Sequence, residues 1–194
     1  MTDSEFKSVL LKFRGESAGE LPFAPCIESL IDDEYCQHIT GMLEGEDMHW
    51  ERKKAVPGLG QSLPDSPGLY MFVWQPKFKL RVALDERIAL HWILYVGKAG
   101  GSVGGGNIRN RYLNEYSKYV GKDPSCLWEK QDTTKRELVL ARYLTLQPLE
   151  FWFLTVSNAN EIELMERKLI KLLRPPLNIQ HGTKLRAGKS EKVT

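Results

Sequence analysis

The chain has 194 residues, 42% hydrophobic and 27% charged, with five Trp, seven Tyr and seven Phe. This is enough apolar material for the core of one ordinary domain plus an extension, and it excludes a disordered chain that buries too little to fold. The formal net charge of +2 is unevenly spread: residues 1–50 hold three basic and eleven acidic side chains, leaving a net +10 on the rest, which suits a polyanionic partner such as nucleic acid.

Taken in order, the start MTDSEFKSVLLKFRG has neither the basic opening nor the apolar run of a secretory signal. No later run approaches the roughly 18 apolar residues that cross a bilayer, so no membrane partner is expected. Cys26, Cys36 and Cys126 are odd in number and not spaced as a metal knuckle. They read as free thiols in a reducing cytoplasm, the expected location. Residues 1–60 are expected to form an acidic helical extension, with one helix over residues 3–13 and a second over 29–43. The stretch VPGLGQSLPDSP, residues 56–67, reads as a connector.

GLYMFVW at 68–74 and WILYVG at 92–97 are short, apolar on both alternating faces and rich in aromatics, and are expected to be neighbouring strands of one sheet. Residues 75–91 are charged and mixed, and read as an excursion between them. The glycine-rich loop KAGGSVGGG comes next, without the Gly-Lys-Ser/Thr ending of a phosphate-cradling loop. A helix then starts near Asn107, with Ile108, Tyr112, Tyr116 and Tyr119 on one face. Residues 121–133 read as loop, and 134–146 are open between helix and strand. LEFWFLTV at 149–156 is a third strand. Asn158 or Asn160 caps a last helix that stops before Pro175-Pro176, with Glu161 and Glu163 in its first turn, where the helix dipole favours carboxylates. Residues 181–194 are a basic tail. His91 and His181 read as surface residues.

The last helix carries the sharpest clue. At about 100° per residue from Ile162, Leu172, Met165 and Leu169 fall at about 280–340°, Leu173 at about 20° and Ile170 at about 80°. That arc is the apolar stripe, and Glu163, Arg167, Lys168, Lys171 and Arg174 occupy the opposite one. Glu166 falls near 40°, inside the stripe. A carboxylate there needs compensation, from a structural salt bridge, from protonation as a core glutamate, or from a divalent cation, since Mg²⁺ is held by one or two carboxylates plus waters and phosphate oxygens.

Gly68-Leu69-Tyr70 and Tyr95-Val96-Gly97 resemble the paired signatures of the GIY-YIG nuclease family. Lys98-Ala99 continues the second signature, Asn107-Ile108-Arg109-Asn110-Arg111 resembles the family's arginine helix, and LMERKLIKLLRPPLN resembles its metal-ligand helix and closing asparagine, twelve residues separating Glu166 from Asn178. The likeness spans about 110 residues, roughly 67 to 180. It implies an α/β (α+β sandwich) fold with a small central antiparallel three-stranded sheet flanked by helices. The nuclease domain would then be residues 61–180. It also implies a DNA endonuclease hydrolysing phosphodiester bonds with a single divalent metal, Mg²⁺ or Mn²⁺, at Glu166.

Chemistry then suggests roles. Tyr70 would accept a proton from water, with Tyr95 and Lys98 assisting, because a phenol with an ordinary pKa near 10 needs a neighbouring cation to become a base. Arg111, preferred over its rival Arg109, would bind the scissile phosphate, and Asn178 would hold the geometry. Two departures stand out. Tyr70 and Tyr95 are separated by 24 residues where compact members have a short hairpin. Four residues after Arg111, where many members carry His or Tyr, stands Glu115, with Tyr116 next; either a helix irregularity brings Tyr116 in, or Glu115 simply pairs with Arg111. Size and the added N-terminal segment favour a type II restriction enzyme acting on double-stranded DNA, with that segment as a candidate homodimer interface. The alternatives are a repair, branched-DNA or mobile-element endonuclease, or a non-catalytic DNA-binding module that keeps the fold.

Overall fold

The computed structural model describes residues 30–42, 49–75, 79–81, 87–101, 106–123 and 136–178. The expected helix over 3–13, Cys26, Cys126, most of the glycine-rich loop and the basic tail with His181 lie outside them.

The architecture is α+β. The three strands expected from the sequence are Gly68–Trp74 (β3), Arg87–Ala99 (β5) and Leu149–Thr155 (β6). They lie side by side with β3 in the middle, antiparallel to both neighbours. β3 reads GLYMFVW, and all but its last residue are buried. A strand covered on both faces has no polar side to offer water, which is why its alternating positions are all apolar.

The sheet is wider than the three strands expected. Leu30–Asp32 (β1) pairs with β5 at one flank and Glu51–Lys54 (β2) with β6 at the other, giving the order β1-β5-β3-β6-β2. The region expected to be a helical extension therefore supplies both flanking strands. The helix expected over 29–43 begins only at Asp33 and runs to Gly41 (α1). The stretch read as a connector contains a 3₁₀ turn, Pro57–Ser62, and buries Leu59 and Leu63. Within the 75–91 excursion, Lys79–Arg81 (β4) pairs with the first residues of β5, so part of the excursion is a hairpin arm. Residues 136–143, left open by the sequence, form a helix (α3).

Two apolar layers cover the sheet. On one face, Tyr70, Phe72, Trp92 and Leu94 pack with Ile108, Tyr112 and Tyr116. Those three come from the short helix Ile108–Arg111 (α2) and the turn after it. On the other face, Leu69, Met71, Ile93 and Val96 pack with Ile162, Leu169, Ile170 and Leu173 of the last helix, Ala159–Leu173 (α4). Asn158 caps α4 by accepting from the Asn160 amide. Leu172, placed in the apolar stripe by the wheel, is instead exposed. His91, read as a surface residue, is buried with its ring against Trp152.

Candidate functional site

Two backbone irregularities build the site. The first is a bulge in β5. Phe72 faces Tyr95, yet the next residue of β3, Val73, faces Ile93, so Leu94 is an extra residue. In a regular strand side chains alternate, and Tyr95 would share the α4 face with Ile93. The bulge puts Leu94 and Tyr95 on the same face, turning the Tyr95 ring toward Tyr70. Beyond Trp92, where the pairing with β1 ends, the chain after α4 holds the outer edge of β5. Leu177 N–H donates to the Leu94 carbonyl (3.2 Å). The Asn178 amide donates to the Val96 carbonyl (2.7 Å) and accepts from the Val96 N–H (2.8 Å). Arg174 ends α4 in the left-handed region (φ 45°), so the Pro-Pro turn after it carries Asn178 back to the sheet. Asn178 is thus a two-pronged clamp on the strand next to Tyr95.

The second irregularity is a π turn, Tyr112–Tyr116, in which the Ser117 amide donates to the Tyr112 carbonyl five residues back (2.9 Å). A turn with one added residue rotates the residues beyond it. Both sequence alternatives are realised: Glu115 pairs with Arg111 at the exposed side, and Tyr116 swings inward. The hydroxyls of Tyr116 and Tyr70 are hydrogen-bonded at 2.7 Å. Ring centroids lie 5.7 Å apart for Tyr70–Tyr116, 6.3 Å for Tyr70–Tyr95 and 6.3 Å for Tyr95–Tyr116. Two glycines make room. A Cβ on Gly97 would stand 2.5 Å from the Tyr70 hydroxyl, and one on Gly68 would stand 2.0 Å from the Leu154 carbonyl.

Burial dominates the electrostatics of Tyr70. Burial, and secondarily the neighbouring Tyr95, drive its pKa well above 10, while the Tyr116 hydrogen bond and Arg111 offset only part of that. The nearby cation is Arg111, not Lys98. Burial disfavours the Arg111 charge, but the bond to Glu115 and the adjacent phenols outweigh it and raise its pKa. Burial also pushes Tyr116 and Tyr112 upward. Arg109 donates through Nε to the Leu63 carbonyl (2.9 Å), a structural contact that leaves Arg111 as the arginine beside the phenols.

These shifts set an alkaline stability limit. In the unfolded chain a phenol ionises near pH 10, whereas the three buried ones stay protonated to higher pH when folded. Above pH 10 the unfolded state binds fewer protons, so stability falls as pH rises further. Spectrophotometric titration of the tyrosines is expected to show the three buried rings ionising only as the fold melts. Simple titration of all seven near pH 10 in the folded chain would contradict this burial.

Lys98 and Glu166 meet on the opposite face of the sheet. Lys98 Nζ is 2.9 Å from Glu163 Oε1 and 3.6 Å from Glu166 Oε2. Glu163, assigned by the wheel to the solvated arc, is instead bonded to Lys98. Its spacing of three residues from Glu166 is the signal that places both carboxylates on one side of the helix. The Glu166 side chain is 18% exposed. Among the described residues no group of three His, Cys, Asp or Glu side chains converges. Glu163 and Glu166 are carboxylates of the kind that would hold a magnesium-type ion, which takes one or two of them and completes its shell with water.

The six residues singled out by sequence fall into two sets. Tyr70, Tyr95 and Arg111 stand on one face, Lys98 and Glu166 on the other, and Asn178 at the edge between them. No family model, curated protein or solved structure matches the chain. No helix among the described residues is long and apolar enough to cross a membrane.

Proposed function

We propose that the chain is a divalent-metal-dependent DNA endonuclease of the GIY-YIG type, acting on double-stranded DNA. The observation that carries this reading is the clamped bulge: Asn178 fixes the one strand that presents Tyr95 to the phenol cluster and Lys98 to the Glu166 side. Bulges of this kind are over-represented next to active sites, where they re-aim a side chain.

Arg111, at the exposed rim of the phenols, would grip the scissile phosphate with its planar fork, exchanging part of its pairing with Glu115 for phosphate oxygens. Glu166 would hold the ion on the other face of the sheet, so the scissile phosphate would have to lie across the β5 edge that Asn178 holds for the ion to stabilise charge on it and on the leaving oxygen. The proton acceptor is reassigned to Tyr95. Tyr70 is almost wholly buried, whereas Tyr95 is partly exposed and can meet water. Tyr70 and Tyr116 then form the neutral hydrogen-bonded pair against which Tyr95 packs.

Incubating plasmid DNA with the protein and Mg²⁺ or Mn²⁺ tests the activity. Discrete fragments support a site-specific, restriction-type enzyme. Nicking alone favours repair or branched substrates, and binding without cleavage favours a non-catalytic module. For the roles within the site, Tyr95→Phe is expected to lower the cleavage rate about 10²–10⁴-fold, the usual worth of general-base assistance, and Tyr70→Phe to lower it less. Equal or reversed effects would return the base assignment to Tyr70.

A further inference from the structure

Glu115 sets a negative charge at the rim of a site read as taking a negatively charged substrate. Its Oε1 accepts from Arg111 Nη1, one helical turn back, and both side chains are open to solvent. An exposed pair of this kind adds little to stability. A guanidinium carries five N–H donors, so one carboxylate oxygen does not exhaust the fork that a phosphate would use. The spacing also keeps Glu115 near. Residues i and i+4 share one side of a helix, so the carboxylate stays within reach of the guanidinium when other oxygens take some of its donors. Its charge extends to the phenols. Burial is the main cause that holds Tyr70 and Tyr116 protonated, and the Glu115 carboxylate, among smaller causes, pushes both the same way. The π turn makes this arrangement, sending Tyr116 inward to Tyr70 while leaving Glu115 outside beside Arg111.

An anion docking on Arg111 therefore meets an attraction and an opposing repulsion. Each phosphate inside a nucleic-acid chain carries one negative charge, whereas a terminal phosphomonoester carries close to two above about pH 7, its second ionisation falling near roughly pH 6. Facing the arginine alone, the dianion would be the tighter ligand. Resting on the phosphodiesterase reading above, we propose that Glu115 is a specificity-determining residue, its charge beside Arg111 cancelling the advantage of a dianionic phosphomonoester so that the site takes internal phosphodiesters. Hydrolysis adds water across a P–O bond and leaves one fragment with a hydroxyl and the other with a terminal phosphomonoester. The same carboxylate that tolerates the single charge of the substrate repels the second charge of the product, and it keeps free phosphate and mononucleotides from occupying Arg111.

The test compares thymidine 5′-monophosphate with its methyl ester, a diester of the same nucleoside that carries one charge less. Each is used to displace a fluorescent DNA duplex from the full chain, without metal and at constant ionic strength, and the readout is the ratio of the two affinities. Thermal melts of the same preparations check folding. Glu115→Gln is expected to shift that ratio toward the monophosphate by about 3–10-fold, the Coulomb effect of one unit charge about 6 Å away in a largely aqueous medium. Glu115→Asp, which keeps the charge, is expected to hold the ratio close to that of the unaltered chain, and Arg111→Ala to weaken both ligands. A ratio unmoved by Glu115→Gln, with Arg111→Ala still weakening both ligands, would overturn the inference alone. An equally large shift in Glu115→Asp would overturn it too, by tracing the effect to the shape of the turn and not to its charge. Failure of the unaltered chain to bind the duplex, or ligand affinities indifferent to Arg111→Ala, would overturn both this inference and the assignment of Arg111 to the scissile phosphate beneath it.

Discussion

Glu166→Ala is expected to abolish metal-dependent cleavage of DNA while leaving the protein folded. The two halves of that expectation have separate grounds. The side chain is partly exposed, and its ion pair with Lys98 is long at 3.6 Å. A pair of that kind contributes on the order of 1 kcal/mol or less, so the melting temperature should shift by only a few degrees. Loss of a metal ligand removes charge stabilisation worth several kcal/mol from the transition state, a fall of at least about 10³-fold in rate. Plasmid cleavage in Mg²⁺ together with circular-dichroism melts of the same preparation reads both. A folded Glu166→Ala protein that still cuts DNA in a Mg²⁺-dependent way would end the proposal that this carboxylate holds the ion.

The second large effect concerns the fold. Gly68 opens β3 opposite Thr155 of β6 and Ala99 of β5. A methyl group there would lie 2.0 Å from the Leu154 carbonyl oxygen and 2.9 Å from Ile108 Cδ1. The first contact is with backbone inside a strand ladder, which cannot rotate away as a side chain can. Either β6 moves off β3 or the end of the ladder opens. Gly68→Ala is therefore expected to cost about 3 kcal/mol, near the upper end for overpacking, and to lower the melting temperature by roughly 6–12 °C. A melt unchanged within about 2 °C would show that the strands do not meet as closely as described. Gly97 poses a different demand, because its clash is with the Tyr70 ring. A side chain can be displaced, so a methyl group at 97 threatens the phenol cluster more than the fold.

This contrast explains what the sequence could show. The three central strands were legible because a sheet covered on both faces demands unbroken apolar runs such as GLYMFVW. The caps and end of α4 were legible because Asn158 and the Pro175-Pro176 pair act locally. Glu166 stood out because a carboxylate amid Ile170 and Leu173 breaks a pattern. The flanking strands were not legible. Glu51–Lys54 reads ERKK, with no apolar alternation, and is strand only because β6 offers it a ladder. Leu30–Asp32 is three residues long, too short to announce a period. Within the candidate site, the identities of Tyr70, Tyr95, Lys98, Arg111, Glu166 and Asn178 were available from the resemblance, and the odd spacing of Tyr95 and Lys98 already places them on opposite faces of a strand. What the sequence hid is the bulge at Leu94, which sets Tyr95 on the same face as Leu94 where counting alternate residues from Ile93 would not. Burial of Tyr70 was equally hidden, since it depends on rings contributed by Tyr116 and Phe151 from distant segments.

The π turn has a consequence for how such chains are recognised. Counted along the polypeptide, the fourth position after Arg111 is Glu115, a solvent-side acid; measured in space, the position nearest the Tyr70 hydroxyl belongs to Tyr116. A rigid interval of four residues from Arg111 selects Glu115, whereas the aromatic ring that meets Tyr70 stands one residue later, displaced in sequence but not in space.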